Sequence, residues 1–203
     1  MMEQVVYSGK LFQVIKRTEK RHFEVLGQRV EKDIQYELVR RPPGVRALLV
    51  QNDKILLNRE FRYELDRWDY RLPGGKVFDT TKEYVDALKA GNIYVAIENQ
   101  LKKEVLEEAD IRIIDFGLID ISHCGFTVEW DLYYFIVDIF EVLPSFYEKH
   151  IKKNEYEYIE HCWMDCPSVY RLCLDGEISE KSSAFVLLKY LLNKYPNKLL
   201  DSY

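Results

Sequence analysis

The chain has few cysteines. Four in 203 residues, at 124, 162, 166 and 173, are too few and too clustered for a disulfide framework. A reducing compartment, the cytoplasm, is therefore the expected location. Long apolar runs are absent too, and nothing approaches the roughly 20 residues needed to span a bilayer. The start, Met1-Met2-Glu3-Gln4, lacks the basic stretch and apolar core of a signal peptide. Nor is there an excess of positive charge: 29 Lys and Arg against 34 Asp and Glu give a net charge of −5. That balance argues against nonspecific nucleic-acid binding but leaves room for a local basic pocket. Internal repeats and low-complexity segments are missing. His161, Cys162 and Cys166 lack the paired spacing of a zinc site, so the two cysteines read as buried or half-buried thiols.

The size suits one domain with an appendage, and 47% hydrophobic residues can build a sizeable core. Apolar and polar residues alternate through the first forty positions, predicting strands at 4–7, 11–15, 23–26 and 34–39. Arg41-Pro42-Pro43-Gly44 breaks that pattern. We therefore divide the chain into a small N-terminal antiparallel sheet, 1–41, and a main domain, 42–203. In the main domain, strands at 45–50 and 55–62 flank a turn at 51–54, which is a hairpin pattern. A glycine-interrupted strand is expected at 72–77. A short helix follows over 80–90, with Thr81 as its cap and Gly91 after its end. Further strands are expected at 111–121, 130–140 and 158–164, and helices at 167–175 and 180–195. Strands and helices mixed in this order predict a sheet covered by helices on both faces.

The densest chemical signal is in the helix expected over 93–109. Glu104, Glu107 and Glu108 fall on an arc roughly 100° wide. Beside them runs an apolar stripe, Ile93, Ile97, Leu101 and Val105, each four residues from the last. Crowded carboxylates repel unless a positive charge lies between them. A hard divalent cation such as Mg²⁺ would meet that need, whereas a solvated acidic helix end would need no partner. Asp110, just past the helix, stands where a chain often needs a left-handed residue.

Pro73-Gly74-Gly75-Lys76, the helix ending in Lys103, Glu104, Glu107 and Glu108, and Ile111 together resemble the signature of the Nudix hydrolase family. Arg59-Glu60-Phe61-Arg62 and Leu72-Pro73-Gly74-Gly75-Lys76 resemble the region before that signature in ADP-ribose pyrophosphatases. Glu155 to Ile159, Trp163 and Asp175-Gly176-Glu177-Ile178 are similar to their C-terminal third. The chain also departs from the pattern. Lys103 replaces an arginine, Val95 stands where the first glutamate would count, and Asp110 replaces a glycine. About fourteen extra residues, roughly 80–93, separate Gly75 from the helix. Lys103 could still pair with Glu107, four residues on, or Glu98 could substitute; the extra helix could brace the loop instead. Cys124 replaces a proline of the ADP-ribose-specific subfamily.

The resemblance implies an α/β (α+β) fold, a Nudix-type α/β/α sandwich with a mixed sheet, and an N-terminal sheet that dimerises. It implies hydrolysis of the pyrophosphate bond of ADP-ribose or a related nucleoside diphosphate sugar. The implied partner is a small nucleotide substrate in a homodimeric, non-membrane protein. Mg²⁺, or Mn²⁺, would be held by Glu104, Glu107, Glu108 and the carbonyl of Gly75. Glu157 would be the base or water-orienting residue, with Glu155 in reserve and Glu104 also catalytic. Arg59 or Arg62 would grip phosphate or sugar, and Glu129 would touch the ribose. Trp68 or Tyr70 could stack on a base, or serve the core. The altered signature leaves a second reading open, a Nudix-fold domain that senses a nucleotide without cleaving it.

Overall fold

The computed structural model describes residues 2–147, 151–154 and 157–195. The first sheet is formed by β1 (Met2–Ser8), β2 (Gln13–Val25) and β3 (Gln28–Arg40). β2 and β3 pair without a break from Gln13↔Arg40 to Val25↔Gln28. Leu26 and Gly27 close this hairpin at φ 52° and 75°. Two consecutive positive φ angles match the right-handed twist of the flanking strands, and this two-residue turn makes the hairpin long. The separate strand expected at 23–26 is therefore the end of β2. The sheet is not purely antiparallel, because β8 (Val128–Glu129), from the main body, pairs in parallel with β3.

The second sheet comprises β4 (Gly44–Gln51), β5 (Lys54–Arg62), β6 (Arg67–Arg71), β7 (Ile111–His123), β9 (Asp131–Val142), β10 (Ile151–Asn154) and β11 (Glu157–Asp165). Its order is β10-β11-β5-β4-β9-β7, with β6 paired to β5. β4 and β9 run parallel, while the β4–β5 hairpin turns through Asn52 and Asp53, both at positive φ. β6 was not anticipated: charged residues alternate with Trp68 and Tyr70 over too short a stretch to stand out.

β4 shows why the architecture has three layers. Val45, Ala47 and Leu49 enter one core with Ile97, Leu101 and Val105 of α2 (Ile93–Ala109). Leu48 enters the other, beneath α3 (Cys166–Asp175) and α4 (Lys181–Lys194), with Val169, Leu187 and Leu191. Successive side chains of a strand point to opposite faces, so a strand apolar on both faces must be covered on both. α1 (Thr81–Ala90) is the helix expected over 80–90, but its cap is Thr80. The Thr80 hydroxyl accepts from the Glu83 N–H at 3.1 Å, and Glu83 accepts from the Thr80 N–H at 3.1 Å, a reciprocal capping box. Thr81 is instead buried, its N–H donating to the Lys10 carbonyl at 2.9 Å and tying α1 to the first sheet. α2 ends as expected at Asp110, φ 48°. Among the described residues no helix is long and apolar enough to cross a membrane.

Candidate active site

The site begins where β5 leaves β4. The two strands pair only beside their turn, at Val50↔Ile55 and Gln51↔Lys54. β5 then pairs with β6 and β11. The vacated edge of β4 is taken by residues 72–77. Val45 N–H donates to the Gly75 carbonyl at 2.9 Å, Ala47 N–H to the Pro73 carbonyl at 2.8 Å, and Val77 N–H to the Pro43 carbonyl at 2.8 Å. The segment is thus an irregular loop on a sheet edge, not the strand expected, with a single bridge at Gly44↔Lys76. Its irregularity has a cause. A Cβ at Gly74 would strike the Val45 carbonyl, and its φ of 149° suits glycine.

α2 lays two carboxylates against this loop. Glu104 and Glu108 are 6% and 5% exposed, which is rare for acids and demands partners. Glu108 Oε2 accepts from the Gly74 N–H at 2.8 Å and from Asn58 Nδ2 at 3.2 Å. Glu104 Oε1 accepts from Gln100 Nε2 at 2.7 Å. Its carboxyl group lies directly against Gly75, where a Cβ would stand within 2.8 Å of both oxygens. Glu107 points elsewhere. It is exposed, 3.9 Å from Lys103, and lines no part of the cavity described below.

Gly74, Gly75, Glu104 and Glu108 form one wall of a cavity of about 340 Å³. The same cavity is lined by Arg41, Arg46, Arg62 and Arg71, with Trp130 and Glu60. The same four arginines and Trp130 line an adjoining outer chamber of about 840 Å³, bounded by Ser122–Gly125 and by Ser179–Ser182. Acidic and cationic side chains therefore line one cleft.

The arginines differ in their commitments. Arg46 is buried and doubly bonded to Glu180, Nε to Oε2 at 2.8 Å and Nη2 to Oε1 at 2.7 Å. Burial works against both charges, yet Glu180 holds the Arg46 guanidinium above its ordinary range, and Arg46 holds the Glu180 carboxyl below its own. Arg62 pairs with Glu60 at 3.3 Å and with Glu64. Arg71 pairs with Asp69 at 2.8 Å. Arg41 has no carboxylate partner among the described residues. Its guanidinium lies 4.2 Å from the Trp130 ring centroid and 5.7 Å from that of Phe12, and its buried Nε lacks a hydrogen-bond partner there. Burial, and then the nearby Arg46 charge, push Arg41 below the usual range.

Several expected site residues lie elsewhere. Arg59 is on the other face of β5, paired with Glu160 at 2.9 Å and stacked 4.3 Å from the Trp68 ring centroid. Trp68 thus serves Arg59 and Phe61, and Tyr70 packs on the core beneath α3 and α4. Glu129 is bound by Arg17 and by Arg40, at 2.7 Å for the latter, all within the first sheet, and does not line the cleft. Glu157 opens β11, its backbone paired with Asn154, but its side chain lies outside the described structure. Glu155 lies outside the described residues altogether.

Asn58, Arg41, Arg46, Arg71 and Trp130 did not emerge from the sequence as site residues. A lone arginine inside the apolar run of β4 is the signal that could have found Arg46. Nothing local distinguishes Arg41 or Trp130, which meet only through the fold.

The donor set suits a hard cation. Two carboxylates and a backbone carbonyl supply oxygen ligands, and Mg²⁺ commonly uses one or two carboxylates, with water and substrate phosphates completing its shell. Among the described residues no group of three or more His, Cys, Asp or Glu side chains is placed to hold a metal ion. The fit is therefore to an ion held in part by the protein.

No protein-family model and no curated protein matches this sequence. Among solved structures, one titled as an ADP compounds hydrolase aligns over 95% of this chain and 92% of its own, with a TM-score of 0.59 at 16% identity. This chain has the same fold. The α/β/α sandwich with a mixed sheet expected from the sequence is its architecture.

Proposed function

We propose that this chain is a metal-dependent hydrolase of the pyrophosphate bond in ADP-ribose or a related nucleoside diphosphate sugar. The products are a nucleoside monophosphate and a sugar phosphate. The observation that carries this reading is one shared cleft: buried Glu104 and Glu108, against the Gly74–Gly75 loop, line it together with Arg41, Arg62 and Arg71. The fold of an ADP compounds hydrolase agrees with it.

Glu104, Glu108 and the Gly75 carbonyl would hold Mg²⁺ or Mn²⁺. A bound ion would neutralise phosphoryl oxygens and activate water. Arg62 and Arg71 would bind the diphosphate, because guanidinium groups match phosphoryl oxygens in pairs. Arg41 and Trp130 would form the side of the cleft that takes a planar or anionic part of the substrate. Glu157 is the proposed water-orienting base, with Glu155 in reserve and Glu60 a further carboxylate in the cavity. Met2, Val5, Val6 and Tyr7 are exposed on β1, which supports a homodimer through the first sheet. A cytoplasmic location remains part of the reading.

The test is AMP release from ADP-ribose with Mg²⁺, in a panel including GDP-mannose, UDP-glucose and NADH. Release abolished by Glu104→Gln supports the reading; no turnover of any member refutes it. The second reading, a nucleotide sensor, is favoured by the outward turn of Glu107 and its 3.9 Å pairing with Lys103. Tight binding without turnover across the panel would select it.

A further inference from the structure

Asn58 is a polar residue in an apolar place. It follows Ile55, Leu56 and Leu57, all fully buried, and is itself 1% exposed. A leucine there would extend the core without any polar group to satisfy. Both ends of its amide are used. Nδ2 donates to Glu108 Oε2 at 3.2 Å, and Oδ1 lies 3.2 Å from Nδ1 of His161, its cross-strand partner on β11. The carboxylate on one side accepts only, so the amide cannot turn round, and His161 must carry its proton on Nδ1. The His161 ring is held flat on Phe146, centroids 5.1 Å apart at 17°. Its Nε2 is buried without a hydrogen-bond partner among the described residues. The Gly74 N–H reaches the same Glu108 oxygen from the other side at 2.8 Å.

We infer that Asn58 is a positioning residue, oriented by His161, that fixes the plane of the Glu108 carboxylate so that it presents a defined edge to the cleft. The inference rests on the proposed function. Neighbours that orient ligating groups commonly change metal affinity or activity by about 10–100-fold when removed. Asn58 and His161 would act in that way, without touching substrate.

The test uses three variants of the full chain. Asn58→Leu removes both amide bonds at similar volume. His161→Phe keeps the ring on Phe146 but removes Nδ1. His161→Asn restores a donor near the Nδ1 position. Mn²⁺ binding is followed by electron paramagnetic resonance, beside kcat and KM with ADP-ribose and circular dichroism for folding. Asn58→Leu and His161→Phe are expected to weaken Mn²⁺ binding and lower kcat by about tenfold, with KM within about twofold. His161→Asn is expected to recover most of both. Folded Asn58→Leu and His161→Phe with parental Mn²⁺ affinity and kcat overturn the inference and leave the proposed function standing. A loss that His161→Asn does not recover also overturns it. A parent chain that neither binds Mn²⁺ nor turns over any substrate overturns both.

Discussion

The Glu104 carboxyl group fills the space in which a side chain on residue 75 would begin. Both of its oxygens would lie within 2.8 Å of a Cβ there, closer than non-bonded atoms approach. The neighbour is a buried acid on a packed helix, which cannot swing away as a surface side chain would. Gly75→Ala is therefore expected to displace Glu104 or the loop and to lower kcat/KM by about 10²-fold, the scale associated with roughly 1 Å misplacements. Steady-state kinetics would show it. Gly117→Ala is the control: its Cβ would meet only Ile136 at 3.5 Å, an ordinary contact.

Arg59 and Arg62 give a directional prediction. Arg62 lines the cavity, whereas Arg59 is engaged by Glu160 and Trp68 on the opposite face. Arg62→Ala should raise KM for a diphosphate substrate by about tenfold, the loss of a charge-assisted contact worth roughly 1.5 kcal/mol. Arg59→Ala should leave KM within about twofold. Equal effects would contradict the assignment of faces.

The Arg46–Glu180 pair ties β4 to the start of α4 inside the protein. Removing one partner leaves a buried charge uncompensated, at a cost of about 3–5 kcal/mol. Arg46→Met should therefore lower the urea midpoint sharply. The double variant Arg46→Met with Glu180→Met should recover much of the loss.

Stability should fall with acid in two stages. Burial keeps the His161 imidazole below its ordinary 6.5, so the unfolded chain takes up a proton first, and stability declines as pH falls below about 6.5. The Glu180 carboxyl is held below its ordinary 4.5. Its contribution is complete above that value and is lost as pH falls through the folded-state pKa. Denaturant titrations from pH 8 to pH 3 would record both declines. His161→Asn should remove the upper one alone.

The Thr80 cap holds the start of α1 and, through Glu83, the Asp79 and Thr80 N–H groups at 3.1 Å. Thr80→Ala should cost about 1 kcal/mol. Thr81→Ala should act instead through loss of the hydroxyl's 3.3 Å bond to the Lys10 carbonyl, while the backbone bond to that carbonyl remains. Thermal unfolding of the two variants would record both losses.

The parts of the fold legible in the sequence are those that one local rule decides. The four-residue stripe Ile93, Ile97, Leu101 and Val105 faces the core as the periodicity requires, and the turn at Asn52–Asp53 closes its hairpin. That Glu104 and Glu108 share a face was legible from their spacing of four on a helix; their convergence with the glycine bend was implied only by the resemblance to the Nudix signature. What was not legible depends on partners distant in the chain. Residues 72–77 are a loop because β5 abandons β4, and Arg41 enters the cleft because Phe12 and Trp130 hold it. Glu107 was grouped with its neighbours by position alone. Its side chain is exposed, 3.9 Å from that of Lys103.

The most direct measurement is an anomalous difference map from crystals soaked in Mn²⁺. A peak beside Glu104, Glu108 and the Gly75 carbonyl, absent after Glu104→Gln, is the expected result. A map with no peak in that cleft, or with one unaffected by the substitution, would contradict the account.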